Sequence, residues 1–161
     1  MLFRSRTYGA ALYKALVASG IQFKGSGDVL ITVRDEDKPA AIEIARGLHA
    51  AGRRIVATHG TCAALRAAGI PAEAINKISQ GSPNLLELIL AGGVSLMLNT
   101  PSADKIAEAE AARIRRACIE TGVPCVTSID TATALLQALH YFASPGEASC
   151  LRLPEYLALP G

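Results

Sequence analysis

The sequence predicts an α/β fold in which a five-stranded parallel sheet lies between two layers of helices. First, apolar segments of strand length alternate with segments of helical periodicity from residue 28 to residue 142. Second, the strand segments are almost continuously apolar, as strands must be when both faces of a parallel sheet are covered. The chain has 161 residues, of which 50% are apolar, so one domain with a sizeable core is expected.

The chain is predicted to have three parts. Residues 1–27 form a lead-in segment, residues 28–142 form the alternating domain, and residues 143–161 form a C-terminal tail. Within the lead-in, Tyr8 to Ser19 carries a helical stripe of small and apolar residues, namely Ala11, Leu12, Ala15, Leu16 and Ser19. This stripe predicts a short amphipathic helix that docks on this domain or on a neighbour.

The predicted strands and helices follow one another in chain order. Strands are expected at residues 29–33, 54–58, 71–76, 94–99 and 124–127, and helices at 35–51, 61–68, 83–91, 104–121 and 130–142. Asp37 and Asp130 are predicted helix N-caps, and Pro39 suits the first turn of its helix. Gly69 and Gly122 are predicted to end helices, as glycine commonly does.

The composition excludes several classes of protein. With 16 basic and 14 acidic residues, the net charge of +2 does not indicate a partner such as nucleic acid or a membrane surface. The apolar runs are shorter than the ~18 residues of a spanning helix, and no signal peptide is recognisable. The four cysteines form no CxxC pair and no metal-ligand spacing with the histidines, so we expect reduced thiols, no metal site and a cytoplasmic location.

The stretch Thr58-His59-Gly60-Thr61 joins a predicted strand to a predicted helix through a glycine. Such a turn presents unpaired backbone N–H groups and hydroxyls at a helix N-terminus, which is a common anion site. The alternative is an ordinary strand–helix turn in which Thr61 is the N-cap.

Polar residues also follow the other predicted strands, and the carboxyl ends of parallel strands meet at one edge of a sheet. They are Thr32 with Lys38 after strand one, Asn76 with Lys77 after strand three, Asn99 with Thr100 after strand four, and Thr127 after strand five. Lysines supply charge and hydroxyls supply donors, so the set suits a phosphate dianion. Each residue taken singly is better explained as a helix cap or a surface side chain, and only their convergence at five strand ends favours a phosphate site. The sequence has neither a Walker A motif nor a G-x-G-x-x-G motif.

Several blocks of this sequence, in order, resemble the C-terminal regulatory domain of carbamoyl-phosphate synthase large subunits, which belongs to the methylglyoxal-synthase-like superfamily. The blocks are Leu30–Lys38, Ala57–Thr61, Ile75–Ile78, Gly81–Asn84, Leu98–Pro101 and Ile114–Arg116. The resemblance extends from about Tyr8 to about Phe142. It implies a three-layer, Rossmann-like domain that binds a nucleotide effector, UMP or IMP, and has no catalytic residues of its own.

Carried over residue by residue, the resemblance implies an effector phosphate site and an adjoining nucleoside site. The phosphate would be held by Lys38, Thr58, Gly60, Thr61 and Lys77, and the nucleoside by Thr32, Asn99 and Thr100. Thr127 matches a residue on the side where ornithine binds in the bacterial enzyme. Two departures concern the ligands: Pro101 replaces a threonine of the effector site, and Cys125 replaces a tyrosine of the ornithine site.

The resemblance also implies partners. These are the ATP-grasp domains of the large subunit and, through them, the glutaminase small subunit, in an enzyme of pyrimidine and arginine biosynthesis. No cofactor is expected in this domain, and homo-oligomer formation stays open.

Two other functions compete with effector binding. One is a divergent methylglyoxal synthase, a lyase acting on dihydroxyacetone phosphate, although the segment Gln80–Leu85 lacks the aspartate that serves as its general base. The other is an interaction module with a vestigial pocket.

Overall fold

The computed structural model describes residues 7–18, 27–101 and 104–143, in which six helices and five strands alternate. The helices are α1 (Tyr8–Ala18), α2 (Lys38–Ala50), α3 (His59–Ala67), α4 (Leu85–Leu90), α5 (Lys105–Thr121) and α6 (Ile129–Ala143). The strands are β1 (Asp28–Thr32), β2 (Ile55–Thr58), β3 (Glu73–Ile75), β4 (Val94–Asn99) and β5 (Cys125–Val126). Among these described residues, no helix is long and apolar enough to cross a membrane.

The five strands form one parallel sheet in the order β3-β2-β1-β4-β5, which confirms the predicted fold class. β1 is central and pairs with β2 through Ile31↔Ala57 and with β4 through Thr32↔Asn99. The chain runs outward from β1 through β2 to β3, then returns to the other side of β1 with β4. The carboxyl ends of β1 and β4 therefore border the switch point of the sheet.

One face of the sheet packs against α4 and α5. Alternate strand residues Leu30, Val56 and Met97 are buried with Ile89 of α4 and Ile114 of α5. Since side chains alternate along a strand, Val29, Ile31, Ile55 and Leu98 lie on the opposite face, where they are also buried. The apolar stripe of α2, formed by Ala41, Ile44, Ala45 and Leu48, is buried as predicted.

The five predicted starts of helices α2 to α6 are each shifted by one to three residues in the structure. α3 begins at His59, so Thr58 holds its N-cap position, and the alternative in which Thr61 is the N-cap is wrong. α2 begins after a 3-10 turn over Asp35–Asp37; Asp37 holds the N-cap position, but its carboxylate accepts a hydrogen bond from Arg34 Nε (2.8 Å) and caps no N–H.

The last helix also starts one residue early. α6 begins at Ile129, and Ser128 accepts a hydrogen bond from the Thr131 N–H (3.5 Å). The prediction of Asp130 as the cap is therefore wrong, and Asp130 lies in the first turn, where its charge still complements the helix dipole.

Among the described residues, 27–132 form one compact unit, and 7–18 with 133–143 form a second. In the second unit α1 packs on the end of α6. The hydroxyls of Thr7 and Tyr141 are 2.8 Å apart, and Tyr13 stacks edge-on against Phe142 with centroids 4.7 Å apart. A Cβ at Gly9 would lie 2.7 Å from the Gln137 carbonyl oxygen, so only glycine allows this approach.

The contact face of α1 differs from the predicted stripe. Gly9, Ala10 and Lys14 are buried in α1, whereas Ala15 is exposed. Ser19 and the tail at 144–161 lie outside the described residues.

Two of the four cysteines form a close pair. Cys118 of α5 is buried and Cys125 of β5 is half-buried, and both thiols are free, as is the buried Cys62. The Cys118 thiol hydrogen-bonds to Cys125 and, with the nearby charge of Arg115, holds the pKa of Cys125 below its usual range. Cys150 lies outside the described residues.

The cap of α4 gives a test of local stability. Asn84 Oδ1 accepts hydrogen bonds from the N–H groups of Leu86 (3.0 Å) and Glu87 (3.2 Å), and Glu87 in turn accepts from the Asn84 N–H (3.3 Å). Because α4 carries Leu85 and Ile89 into the core, we expect Asn84→Ala to lower the free energy of unfolding by about 1–2 kcal/mol. Urea denaturation measures this change.

Two matched variants accompany Asn84→Ala. Asn84→Ser keeps a good capping side chain and should retain most of the stability, while Ser79→Ala alters an exposed position and should stay within about 0.5 kcal/mol of the parent. Equal stability of Asn84→Ala and Asn84→Ser would contradict the capping role.

Candidate functional site

A cleft opens at the switch point of the sheet, at the carboxyl ends of β1 and β4. Its volume is about 100 Å³. Its walls come from the ends of both strands, from the segment after β3 and from one face of α5. The lining residues are Thr32, Val33, Arg34, Lys77, Leu85, Asn99, Thr100, Ala107, Glu110, Ala111 and Ile114. Four predicted site residues, Thr32, Lys77, Asn99 and Thr100, therefore share this cleft.

The β1 and β4 ends are held together by polar contacts. The Thr100 N–H donates to the Thr32 carbonyl (3.3 Å), and the Thr100 hydroxyl accepts from the Arg34 N–H (3.1 Å). Asn99, directly opposite Thr32 in the register, is only 5% exposed, and its Oδ1 accepts no hydrogen bond from any residue that the structure describes. A buried acceptor without a donor costs about 1–3 kcal/mol, which makes Asn99 Oδ1 the polar atom of this cleft that most needs an explanation.

The N-terminus of α3 lies beside this cleft. The first N–H groups of the helix, from His59 to Thr61, have no intrahelical acceptor and carry the positive end of the dipole. The Lys38 ammonium lies next to them, because a Cβ placed on Gly60 would be 3.5 Å from Lys38 Nζ. Gly60 thus leaves room for an anion between the helix terminus and the lysine.

The two predicted threonines of this turn are buried and connect it to β1. Thr58 Oγ1 donates to Thr32 Oγ1 (3.2 Å), and Thr61 Oγ1 accepts from the Val33 N–H (3.5 Å). The Thr58 hydroxyl therefore donates its hydrogen to another residue of the protein. The Thr61 hydroxyl only accepts in its bond with Val33, so this bond does not use its hydrogen.

The positive charge of the site is partly neutralised by Asp35. Its carboxylate lies 2.7 Å from Lys38 Nζ, and this pairing, with a smaller contribution from Lys77, holds the pKa of Asp35 below its usual range. Both lysines therefore lie within electrostatic reach of one exposed carboxylate. An anion approaching Lys38 competes with Asp35 for the same ammonium.

Thr127 is the one predicted residue that the structure leaves apart. It is exposed, follows the edge strand β5 and is absent from the walls of the cleft. Its suggested ornithine side stays a prediction.

Three features of the site were not anticipated from the sequence. Arg34 and Glu110 line the cleft, and the Glu110 carboxylate accepts from the Ser79 N–H (2.7 Å). His59 Nε2 is 2.9 Å from Asn76 Oδ1. Asn76 lies 17 residues from His59, and Glu110 lies 31 residues from Ser79. Of these residues, only Asn76 could have been found from the sequence, because it follows a predicted strand.

Within residues 7–18, 27–101 and 104–143, no group of three His, Cys, Asp or Glu side chains could hold a metal ion.

Known proteins resemble this chain in sequence and in fold. A family model described as an MGS-like domain matches residues 40–127. A carbamoyl phosphate synthase large chain from Thermomicrobium roseum is 46% identical over 135 residues, which make up 83% of this chain and 12% of that protein. A carbamoyl phosphate synthase large chain, C-terminal section, from Methanopyrus kandleri is 40% identical over 147 residues, or 91% of this chain and 27% of that protein. The chain thus spans a small part of the length of both relatives.

The fold is also similar to the crystal structure of a methylglyoxal synthase from Elizabethkingia anophelis. The TM-score is 0.55, the match covers 84% of this chain and 92% of the other, and 14% of the aligned residues are identical. At this identity the similarity concerns the fold alone.

The pairing of Asp35 with Lys38 gives a prediction about anion affinity. Asp35→Asn removes a negative charge from the site and releases Lys38, so we expect phosphate to bind about twofold to fivefold more tightly, the scale of an exposed ion pair. Calorimetric titration with inorganic phosphate measures the dissociation constant.

The matched control is Glu43→Gln, which removes one carboxylate from the exposed face of α2, where it pairs with Arg46. Its affinity should equal that of the parent. If both variants gain equally, the effect comes from net charge and not from Lys38.

Proposed function

Because this chain belongs to the MGS-like domain family, and its homologues indicate the C-terminal domain of a carbamoyl phosphate synthase large chain, we propose that it is an allosteric nucleotide-binding domain. The nucleotide is a monophosphate such as UMP or IMP. Its phosphate binds between Lys38, Lys77 and the N-terminus of α3. Its nucleoside lies toward Thr32, Asn99 and Thr100.

The side-chain oxygen of Asn99, with which no described residue pairs, is the observation that carries this proposal. Asn99 lines the cleft beside the cationic turn, and a rotation of its side-chain amide would bring this oxygen within reach of a ribose hydroxyl or a base N–H. The adjoining Lys38 and helix terminus favour a dianion. A ligand with a phosphate at one end and several donors at the other satisfies both halves.

The size of the cleft limits how the ligand sits. A volume of about 100 Å³ is below the roughly 300–1,000 Å³ of pockets that enclose a drug-sized ligand. The phosphate and part of the ribose fill the cleft, and the base lies at its open mouth. Contacts to the base are then fewer than contacts to the phosphate and ribose, which suits a site that accepts both UMP and IMP.

Regulation follows if the nucleotide has different affinities for two states of the larger enzyme. The partners are the ATP-grasp domains of the synthase large chain and, through them, the glutaminase subunit, in the cytoplasmic synthesis of carbamoyl phosphate for pyrimidines and arginine. The domain itself catalyses no reaction. The carboxylates of Asp35 and Glu110, both near the cleft, are already paired with Lys38 and the Ser79 N–H.

Calorimetry with UMP and IMP tests this function. We expect saturable binding of at least one nucleotide, and Lys77→Ala should weaken it about 10-fold to 200-fold, equivalent to about 1.5–3 kcal/mol for a hydrogen bond to a charged group. Arg46→Ala, which removes an exposed charge on α2, is the matched control and should bind as the parent does.

No heat with either nucleotide at millimolar concentration would overturn the proposal. Formation of methylglyoxal from dihydroxyacetone phosphate by the purified chain would instead favour the lyase alternative.

A substitution at Gly60 should affect anion binding without lowering the stability of the fold. In the first turn of α3 an alanine has no steric conflict closer than 3.5 Å, so Gly60→Ala should keep the free energy of unfolding or raise it by up to about 1 kcal/mol. Its methyl group would nevertheless stand against Lys38 Nζ, where the phosphate is expected. We expect weaker nucleotide binding without loss of stability, measured by calorimetry and by urea denaturation. Unchanged affinity would remove Gly60 from the site.

A further inference from the structure

A second and larger cleft lies at the other end of the strands, beside the first residues of β2 and β3. Its volume is about 460 Å³. The last turns of α2 and α3 form its sides. Four basic side chains, His49, Arg53, Arg54 and Arg66, surround it, and Glu73 is the one carboxylate among the described residues that line it. This site is distinct from the switch-point cleft, because β2 separates them from Ile55 to Thr58, about 10 Å at 3.3 Å per residue.

The carboxylates nearby are already used by one of the arginines. Arg54 Nε donates to Glu73 Oε1 (3.1 Å), and Arg54 Nη1 lies 3.5 Å from Asp28 Oδ1. The pairing with Arg54 holds the pKa of Glu73 below its usual range, so Glu73 stays ionised. Arg54 thus pairs with two carboxylates, whereas Arg66 forms no ion pair with any residue that the structure describes.

Arg66 is fixed in place by one hydrogen bond. Its Nε donates to the Ala72 carbonyl (2.9 Å), which uses one of its five donors; within the described part of the chain its Nη atoms have no hydrogen-bond acceptor. Capping of α3 does not account for it, because the last carbonyls of the helix accept from the N–H groups of Ala68, Gly69 and Ile70. The His49 ring likewise makes no hydrogen bond to any residue that the structure describes.

We propose that this cleft binds a small organic anion carrying a carboxylate or phosphate group. The Arg66 guanidinium and His49 meet the anionic group, since arginine binds both groups through paired N–H donors. The apolar floor, formed by Ile55 and Ala72, receives the carbon skeleton. The volume falls within the roughly 300–1,000 Å³ range of small-molecule pockets. This second site does not depend on nucleotide binding at the first.

Titration of the ¹⁵N-labelled chain by NMR tests the site. The probes are inorganic pyrophosphate and citrate, added at constant ionic strength, and the reporters are the amides of Gly52, Arg53 and Arg54. We expect saturable shifts with at least one probe, and the tighter probe identifies the preferred anionic group. Arg66→Gln and His49→Gln should each weaken this binding about threefold to tenfold, the scale of partly exposed charge-assisted contacts.

The shifts of Gly60 and Thr61, at the first site, should be unaffected by either substitution. Arg46→Gln, which removes an exposed arginine from outside the cleft, is the matched control and should keep the parent's affinity. Shifts that stay linear with both probes would overturn the proposal, as would equal losses in Arg46→Gln, Arg66→Gln and His49→Gln. Retained amide dispersion in each variant separates loss of binding from loss of fold.

Discussion

The central strand β1 is the element on which the rest of the structure depends. It is hydrogen-bonded to β2 on one edge and β4 on the other, and Val29, Leu30 and Ile31 are each at most 1% exposed. Strands that are buried on both faces and paired in parallel must all end at the same edge. That constraint brings Thr32, Thr58 and Asn99 to one level and aligns their polar ends beside the first turn of α3.

The two ends of the strands, carboxyl and amino, differ in how charge is arranged around them. At the carboxyl edge, the α3 N-terminus and Lys38 attract anions directly, and Asp35 moderates them as an exposed counter-charge. At the amino edge, helices present their negative ends, so positive side chains have to supply all of the attraction. Arg54 is neutralised there by Asp28 and Glu73, while Arg66 keeps most of its donors. The backbone and the side chains thus make different contributions at opposite ends of the same strands.

Much of the fold followed from local patterns. β4 was predicted with its observed bounds, and the buried stripe of α2 was predicted residue by residue, because long apolar runs and 3.6-residue periodicity are strong signals. Helix starts were less well predicted. Thr58 and Asp37 hold N-cap positions without accepting a capping hydrogen bond, and Ser128 accepts one from Thr131, so each helix start depends on where the preceding strand or turn ends and not on the capping side chain alone. The lead-in helix buries Lys14 instead of Ala15, since α6 determines its contact face.

The sequence alone determined the alternation of strands and helices, the polar residues that end each strand and the turn through Gly60, because all of these are encoded within a few neighbouring residues. The tertiary structure alone decided that Glu110 and Arg34 enter the first cleft, that Thr127 stays outside it, and that Arg66 faces a second cleft with His49. Those relations join residues that are far apart along the chain. They are determined by strand order and by how each helix packs across the sheet, and neither is recorded in a local pattern.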